Sequence, residues 1–97
     1  MMDVLILYGE VVGFFDLWQV QRFREKVPFG KAIVVARKEP AGKVLEEAAK
    51  GDVEIRVARD PKGEARKIAQ QLREEGREVR VRSLEEVADR SMMRDVF

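Results

Sequence analysis

The sequence predicts an α/β fold: a single three-layer domain in which four strands alternate with four helices as βαβαβαβα around a four-stranded parallel sheet. Three observations predict it. Two short runs are apolar throughout, as strands buried on both faces require. Two others alternate apolar and charged residues with period two. The intervals between them carry helical periodicity and end at caps or glycines. At 97 residues the chain is long enough for one modest core and not for two, so residues 1–97 are read as one domain.

Val4 to Tyr8 (VLILY) is continuously apolar and ends at Gly9, which makes it the first buried strand. From about Val11 to Val27 the period becomes helical, with Phe14 and Trp18 on one side, and Pro28-Phe29-Gly30 forms the stop. Ala32 to Ala36 (AIVVA) is the second apolar run, closed by the charged turn Arg37-Lys38-Glu39-Pro40. A short helix follows from about Ala41 to Lys50. It is expected to bury Val44, Leu45 and Ala48, with Gly51 left-handed just past its end.

Val53, Ile55 and Val57 alternate with Glu54 and Arg56, the pattern of a half-exposed or edge strand. Asp60 then serves as N-cap and Pro61 as first residue of a helix with Ala65, Ile68, Ala69 and Leu72 on one face, closed by Gly76. Val79 and Val81 alternate with Glu78, Arg80 and Arg82 in a fourth, equally half-polar strand. Ser83-Leu84-Glu85-Glu86 has the S-x-x-E form of a capping box and opens a terminal helix with Leu84, Val87 and Ala88 inward. The tail Met92-Met93-Arg94-Asp95-Val96-Phe97 is apolar enough to dock.

A helix between successive strands fits right-handed crossovers between parallel neighbours. The all-apolar strands belong in the centre and the half-polar ones at the edges. That favours the order 3-2-1-4 over the flavodoxin-like 2-1-3-4. Arg56, Arg80 and Arg82, with Glu54 and Glu78, are then expected on one shared face of the outer strands, as a solvated ion-pair surface.

Nineteen basic residues against eighteen acidic ones give a net charge of +1, so no global field points toward nucleic acid or a membrane, and such a partner must be met by a local patch. No stretch approaches the ~20 apolar residues that cross a bilayer, and Met1 to Leu7 is too short and carries Asp3, unlike a signal peptide. A cytoplasmic protein without a membrane partner is expected. The chain has no Cys, His, Asn or Thr, which removes thiolate nucleophiles, Ser/His/Asp triads, imidazole bases and Cys/His zinc sites. Those absences, with abundant Glu, Arg and Val, fit a thermostable protein or a designed, idealised one.

In open parallel sheets ligands bind at the carboxyl ends of the strands. The loops collected there hold Gly9, Glu10 and Gly13; Arg37, Lys38, Gly42 and Lys43; Arg59, Asp60, Lys62, Gly63 and Glu64; and Arg82 with Ser83. Cations are concentrated on this rim, so Arg37, Lys38, Lys43, Arg59, Lys62 and Arg82 are the candidate anion-binding residues. Gly9-Glu10-Val11-Val12-Gly13 leads from strand to helix but lacks G-x-G-x-x-G spacing, and its glycines suit turn geometry. Gly30-Lys31 and Gly42-Lys43 lack the Ser or Thr of a Walker A loop. Asp60-Pro61-Lys62-Gly63-Glu64 is sufficient as a helix cap. Its alternative use is chemical, with Glu10, Asp60 and Glu64 converging as oxygen ligands for Mg²⁺ while Lys62, Arg59 and Arg37 receive phosphate.

An apolar strand ending beside a glutamate, followed by a third strand that runs into Asp-Pro and then Gly-Glu-Ala, resembles the Toprim domain of topoisomerases and primases. Val53 to Leu72 (VEIRVARDPKGEARKIAQQL) is similar to that family's third strand, acidic loop and helix, and the likeness extends over about Asp3 to Arg82. The resemblance implies Mg²⁺ binding and phosphoryl transfer on nucleic acids, with Glu10, Asp60 and Glu64 as metal ligands. Two departures stand out: Gly9-Glu10 reverses the family's Glu-Gly order, and Lys62 occupies the second acidic position of Asp-x-Asp.

The first helix carries more apolar residues than one stripe can hold, among them Phe14, Phe15 and Trp18. The excess is either extra core or a homo-oligomer interface. The leading functional expectation is a non-catalytic binding or regulatory module whose cationic rim takes a nucleotide or nucleic-acid phosphate. A Toprim-like Mg²⁺-dependent enzyme is the first alternative, and a designed or purely structural thermostable domain the second.

Overall fold

Hydropathy decides where each strand sits. The computed structural model describes residues 2–87. The elements are β1 (Met2–Gly9), α1 (Phe14–Lys26), β2 (Phe29–Ala36), α2 (Gly42–Lys50), β3 (Val53–Val57), α3 (Pro61–Glu74) and β4 (Val79–Ser83), with residues 84–87 helical again. The rest of the expected terminal helix, with Ala88 and the Met92–Phe97 tail, lies outside the described residues. All strand pairs are parallel and the order is β3-β2-β1-β4. The two strands that are apolar on both faces take the centre, and the half-polar strands take the edges.

The sheet separates two cores, one on each face, and not the single core expected from chain length, because both of its faces are covered by helices. On one face Leu5, Leu7, Ala32, Val34 and Val53 meet Leu17, Val20 and Phe23 of α1, Val44 and Ala48 of α2, and Leu84 and Val87. On the other, Val4, Ile6, Ile33, Val35 and Val79 meet Ala65, Ile68 and Ala69 of α3. The steps β1 to β2 to β3 run one way across the sheet with α1 and α2 on one face. The step from β3 to β4 runs back past the whole sheet with α3 on the other, as right-handed crossovers require.

This arrangement corrects the expected arginine-rich face. Glu54 stands beside Ile33 and Arg56 beside Val35, on the α3 side. Arg80 and Arg82 stand beside Leu5 and Leu7, on the opposite side. The cause is that β3 turns its buried Val53 toward α1 and α2, while β4 turns its valines toward α3, so the charges project from opposite edges on opposite faces. Glu54 instead pairs locally with Lys31, at 3.0 Å, and with Arg56.

Several local expectations shift for identifiable reasons. Leu45 is 39% exposed, because Val44 and Ala48, one turn apart, suffice for the inner face of a nine-residue helix. The left-handed residue after α2 is Asp52, at φ 58°, and not Gly51, at φ −98°. Gly51 is a glycine for a different reason. Its carbonyl accepts from Gln21 Nε2 at 3.0 Å and Arg24 Nη1 at 2.9 Å, and a Cβ there would overlap the Gln21 amide. Helix α1 begins at Phe14 with Gly13 as its cap. Strand β2 begins at Phe29, so Pro28-Phe29-Gly30 ends the helix and starts the strand at once. Gly76, at φ 85°, follows α3 as expected. Among the described residues no helix is long and apolar enough to cross a membrane.

Candidate functional site

A cleft of about 660 Å³ lies at the carboxyl ends of β1 and β4 beside the start of α3. It is lined by Tyr8, Gly9, Val11 and Leu84, by the charged residues Glu10, Asp16, Asp60, Lys62 and Glu85, and by Ser83. The place agrees with the rule that ligands in open parallel sheets bind at the carboxyl ends of the strands. Glycine permits the close packing beneath it: a Cβ on Gly9 would come within 2.8 Å of Leu84 Cδ1. Neither Gly9 nor Gly13 has a positive φ, so close approach and capping, rather than a left-handed turn, account for them.

Helix starts converge on this cleft, and each carries its own cap. The Asp16 carboxylate accepts from the Gly13 N–H at 2.8 Å, the Asp60 carboxylate from the Gly63 N–H at 3.1 Å, and Ser83 Oγ from the Glu86 N–H at 3.1 Å. Asp16 and Asp60 therefore place negative charge where the helix dipoles are positive. The adjoining loop is tied down as well. Arg37 and Lys38 donate their backbone N–H groups to the Glu10 carbonyl at 3.1 and 3.0 Å, and Arg37 Nη1 stands 3.7 Å from Glu10 Oε1.

The structure divides the expected site residues into two groups. Glu10, Asp60 and Lys62 border one cleft. Arg37, Lys38, Lys43 and Arg59 are exposed on the loops and first helical turn that follow β2 and β3, outside that cleft. Arg82 donates Nη1 to the Val81 carbonyl at 2.8 Å and is partly buried. Glu64 sits in the first turn of α3 and is not among the cleft residues. The rim is thus cationic over β2 and β3 and carboxylate-rich over β1 and β4, with Arg37 and Glu10 meeting at the seam.

Among the described residues no three acidic side chains are grouped to hold a metal ion. Within the cleft, Lys62 brings an ammonium to the position where the Toprim likeness expects a carboxylate. The residues present do not fit a three-carboxylate Mg²⁺ site.

Sequence reasoning missed Tyr8, Asp16 and Glu85 as cleft residues. A usable signal existed, in that an acidic residue stands within the first turn after each of the strand-to-helix junctions around the cleft. No family model matches the chain, and no curated protein or solved structure matches it.

Proposed function

We propose that the domain is a non-catalytic binding module for a phosphate-bearing ligand, a nucleotide or a nucleic-acid phosphate, held across the carboxyl-end rim. The division of that rim carries the reading. Exposed Arg37, Lys38, Lys43 and Arg59 offer phosphate contacts on one side. The cleft beside them offers Glu10, Asp16, Asp60 and Glu85, acceptors suited to sugar hydroxyls and base amino groups and unsuited to the phosphate itself. A ligand with both kinds of group, linked over a few ångströms, matches the two halves.

Calorimetric titration of the full chain with nucleoside mono- and diphosphates and a short single-stranded oligonucleotide tests this. Two or three phosphate contacts predict a loss of about tenfold in affinity between 50 and 200 mM salt. Paired Arg37→Ala and Lys38→Ala changes are expected to remove most of that salt dependence, and Asp60→Asn to weaken binding without altering it. Absence of binding, or binding indifferent to salt and to these changes, overturns the reading.

One observation favours the Toprim-like alternative as architecture: Glu10, after β1, and Asp60, after β3, border one cleft. With Lys62 lining the same cleft, Mg²⁺-dependent nicking of nucleic acid is not expected of this chain. Nicking activity abolished by Asp60→Ala would reverse that judgement.

A further inference from the structure

Helix α1 has two apolar stripes. The inner one, Leu17, Val20 and Phe23, is buried against the sheet. The outer one, Phe14, Phe15 and Trp18, is 52–54% exposed at every position, and its spacing keeps it on one side of the helix axis; Val11, 54% exposed, stands in the loop just before the helix. Its rings are already organised. Phe15 and Trp18 meet edge to face with centroids 6.1 Å apart, and the Arg22 guanidinium lies 5.1 Å from the Trp18 ring centre. Beside the stripe, between α1 and α2, runs a groove of about 410 Å³ bordered by Phe14, Leu17 and Trp18 on one side and Glu47, Ala48 and Lys50 on the other. Phe15 is not part of the groove and stands on the other flank of Trp18.

We propose that this face is the contact surface for a second copy of the chain, packed about a two-fold axis near Trp18. A two-fold contact must be complementary to itself, and here one ring protrudes on one side of Trp18 while a groove opens on the other. Rotation about an axis at Trp18 brings the Phe15 ring of each copy over the groove of its partner.

The areas agree. Aromatic side chains carry about 150–250 Å² each, so three that are half exposed, with Val11, present about 300–400 Å² of apolar surface. That is within the range of about 300–600 Å² of the largest patch on a typical monomer, which is often functional. A standard interface takes about a tenth of a small protein's surface per partner, which for 6151 Å² is about 600 Å². The stripe would fill about half to two-thirds of that footprint, near the apolar share of homodimer contacts, with Glu47 and Lys50 at its polar margin.

Sedimentation of the full chain across concentrations, with emission from its single tryptophan, tests this. The expected result is a species of twice the chain mass whose blue-shifted emission moves to the red on dilution through the same midpoint. Phe15→Glu and Trp18→Glu, both at exposed positions, are expected to raise the dissociation constant at least about 100-fold while the circular dichroism spectrum is kept. Val57→Glu, equally exposed at the end of β3, is expected to leave association unchanged. A chain that is monomeric at all concentrations overturns the proposal. If its emission then turns red when residues 88–97 are removed, the stripe's occupant is that segment. A dimer that neither stripe variant weakens overturns it as well.

Discussion

Two neighbouring residues after α2 show how local chemistry and tertiary contact divide a role that sequence assigns to one. A glycine after a helix reads as the left-handed position, yet Gly51 keeps a negative φ so that Gln21 and Arg24 can reach its carbonyl, and Asp52 takes the left-handed conformation instead. Asp52→Gly should therefore stabilise the fold by about 0.5–1 kcal/mol, the cost an L-residue bears there. Gly51→Ala should destabilise it by about 1–3 kcal/mol through crowding of Gln21. Urea unfolding of the two variants checks both signs. Glu54 makes a smaller contribution. Arg56 first, and then Lys31, hold its carboxyl below the ordinary glutamate range. A lowered folded-state value means that the stabilisation is present above about pH 4.3, the unfolded value, and disappears as pH falls through the folded one. The pair is solvated, so Glu54→Gln is expected to flatten the acid limb of stability by only a few tenths of a kcal/mol, read from denaturant midpoints between pH 2 and 7.

At the scale of elements, the strands were legible because each has a simple environment: β1 and β2 read as buried on both faces, β3 and β4 on one. Helix α3 was legible through Asp60 and Pro61 at its start and Gly76 after its end. Boundaries were less so. Phe29 and Gly30 looked like the end of a helix, although they form the first residues of β2, because a break in helical period does not show what the next residues pair with. Gly30 is needed there: a Cβ would stand 2.9 Å from the Asp3 carbonyl oxygen, a backbone atom with little room to move. Gly42, in the first turn of α2, has nothing within 4 Å of an added Cβ. Gly30→Ala should thus cost about 1–3 kcal/mol, whereas Gly42→Ala should be neutral or stabilising by up to about 1 kcal/mol. Thermal melts of the pair separate steric from conformational effects of the same substitution.

For the whole molecule, sheet order followed from hydropathy, but the faces did not. Alternation shows that Arg56 and Arg80 each point away from a core; it does not show which of the two cores. The same limit explains the candidate site. Loop membership correctly placed Glu10, Asp60 and Lys62 at the carboxyl rim, and the 3-2-1-4 order sets the cleft over β1 and β4. The separation of cations from carboxylates depends on how far α3 carries its start back across the sheet, which no spacing in the chain encodes.

That crossing has a consequence in time. Strand β4 pairs with β1 from Val4 opposite Val79 to Tyr8 opposite Ser83, and the Glu78 N–H closes on the Asp3 carboxylate at 2.9 Å. During synthesis β1, β2 and β3 are complete while one edge of β1 still lacks its neighbour. At about 5–20 residues per second, the stretch from Val57 to Ser83 leaves that edge open for roughly one to five seconds, long enough for a foreign strand to add to it. Helix α3 emerges within that interval and folds far faster than translation proceeds. It can cover the apolar face beside the open edge before the last strand of the sheet has left the ribosome.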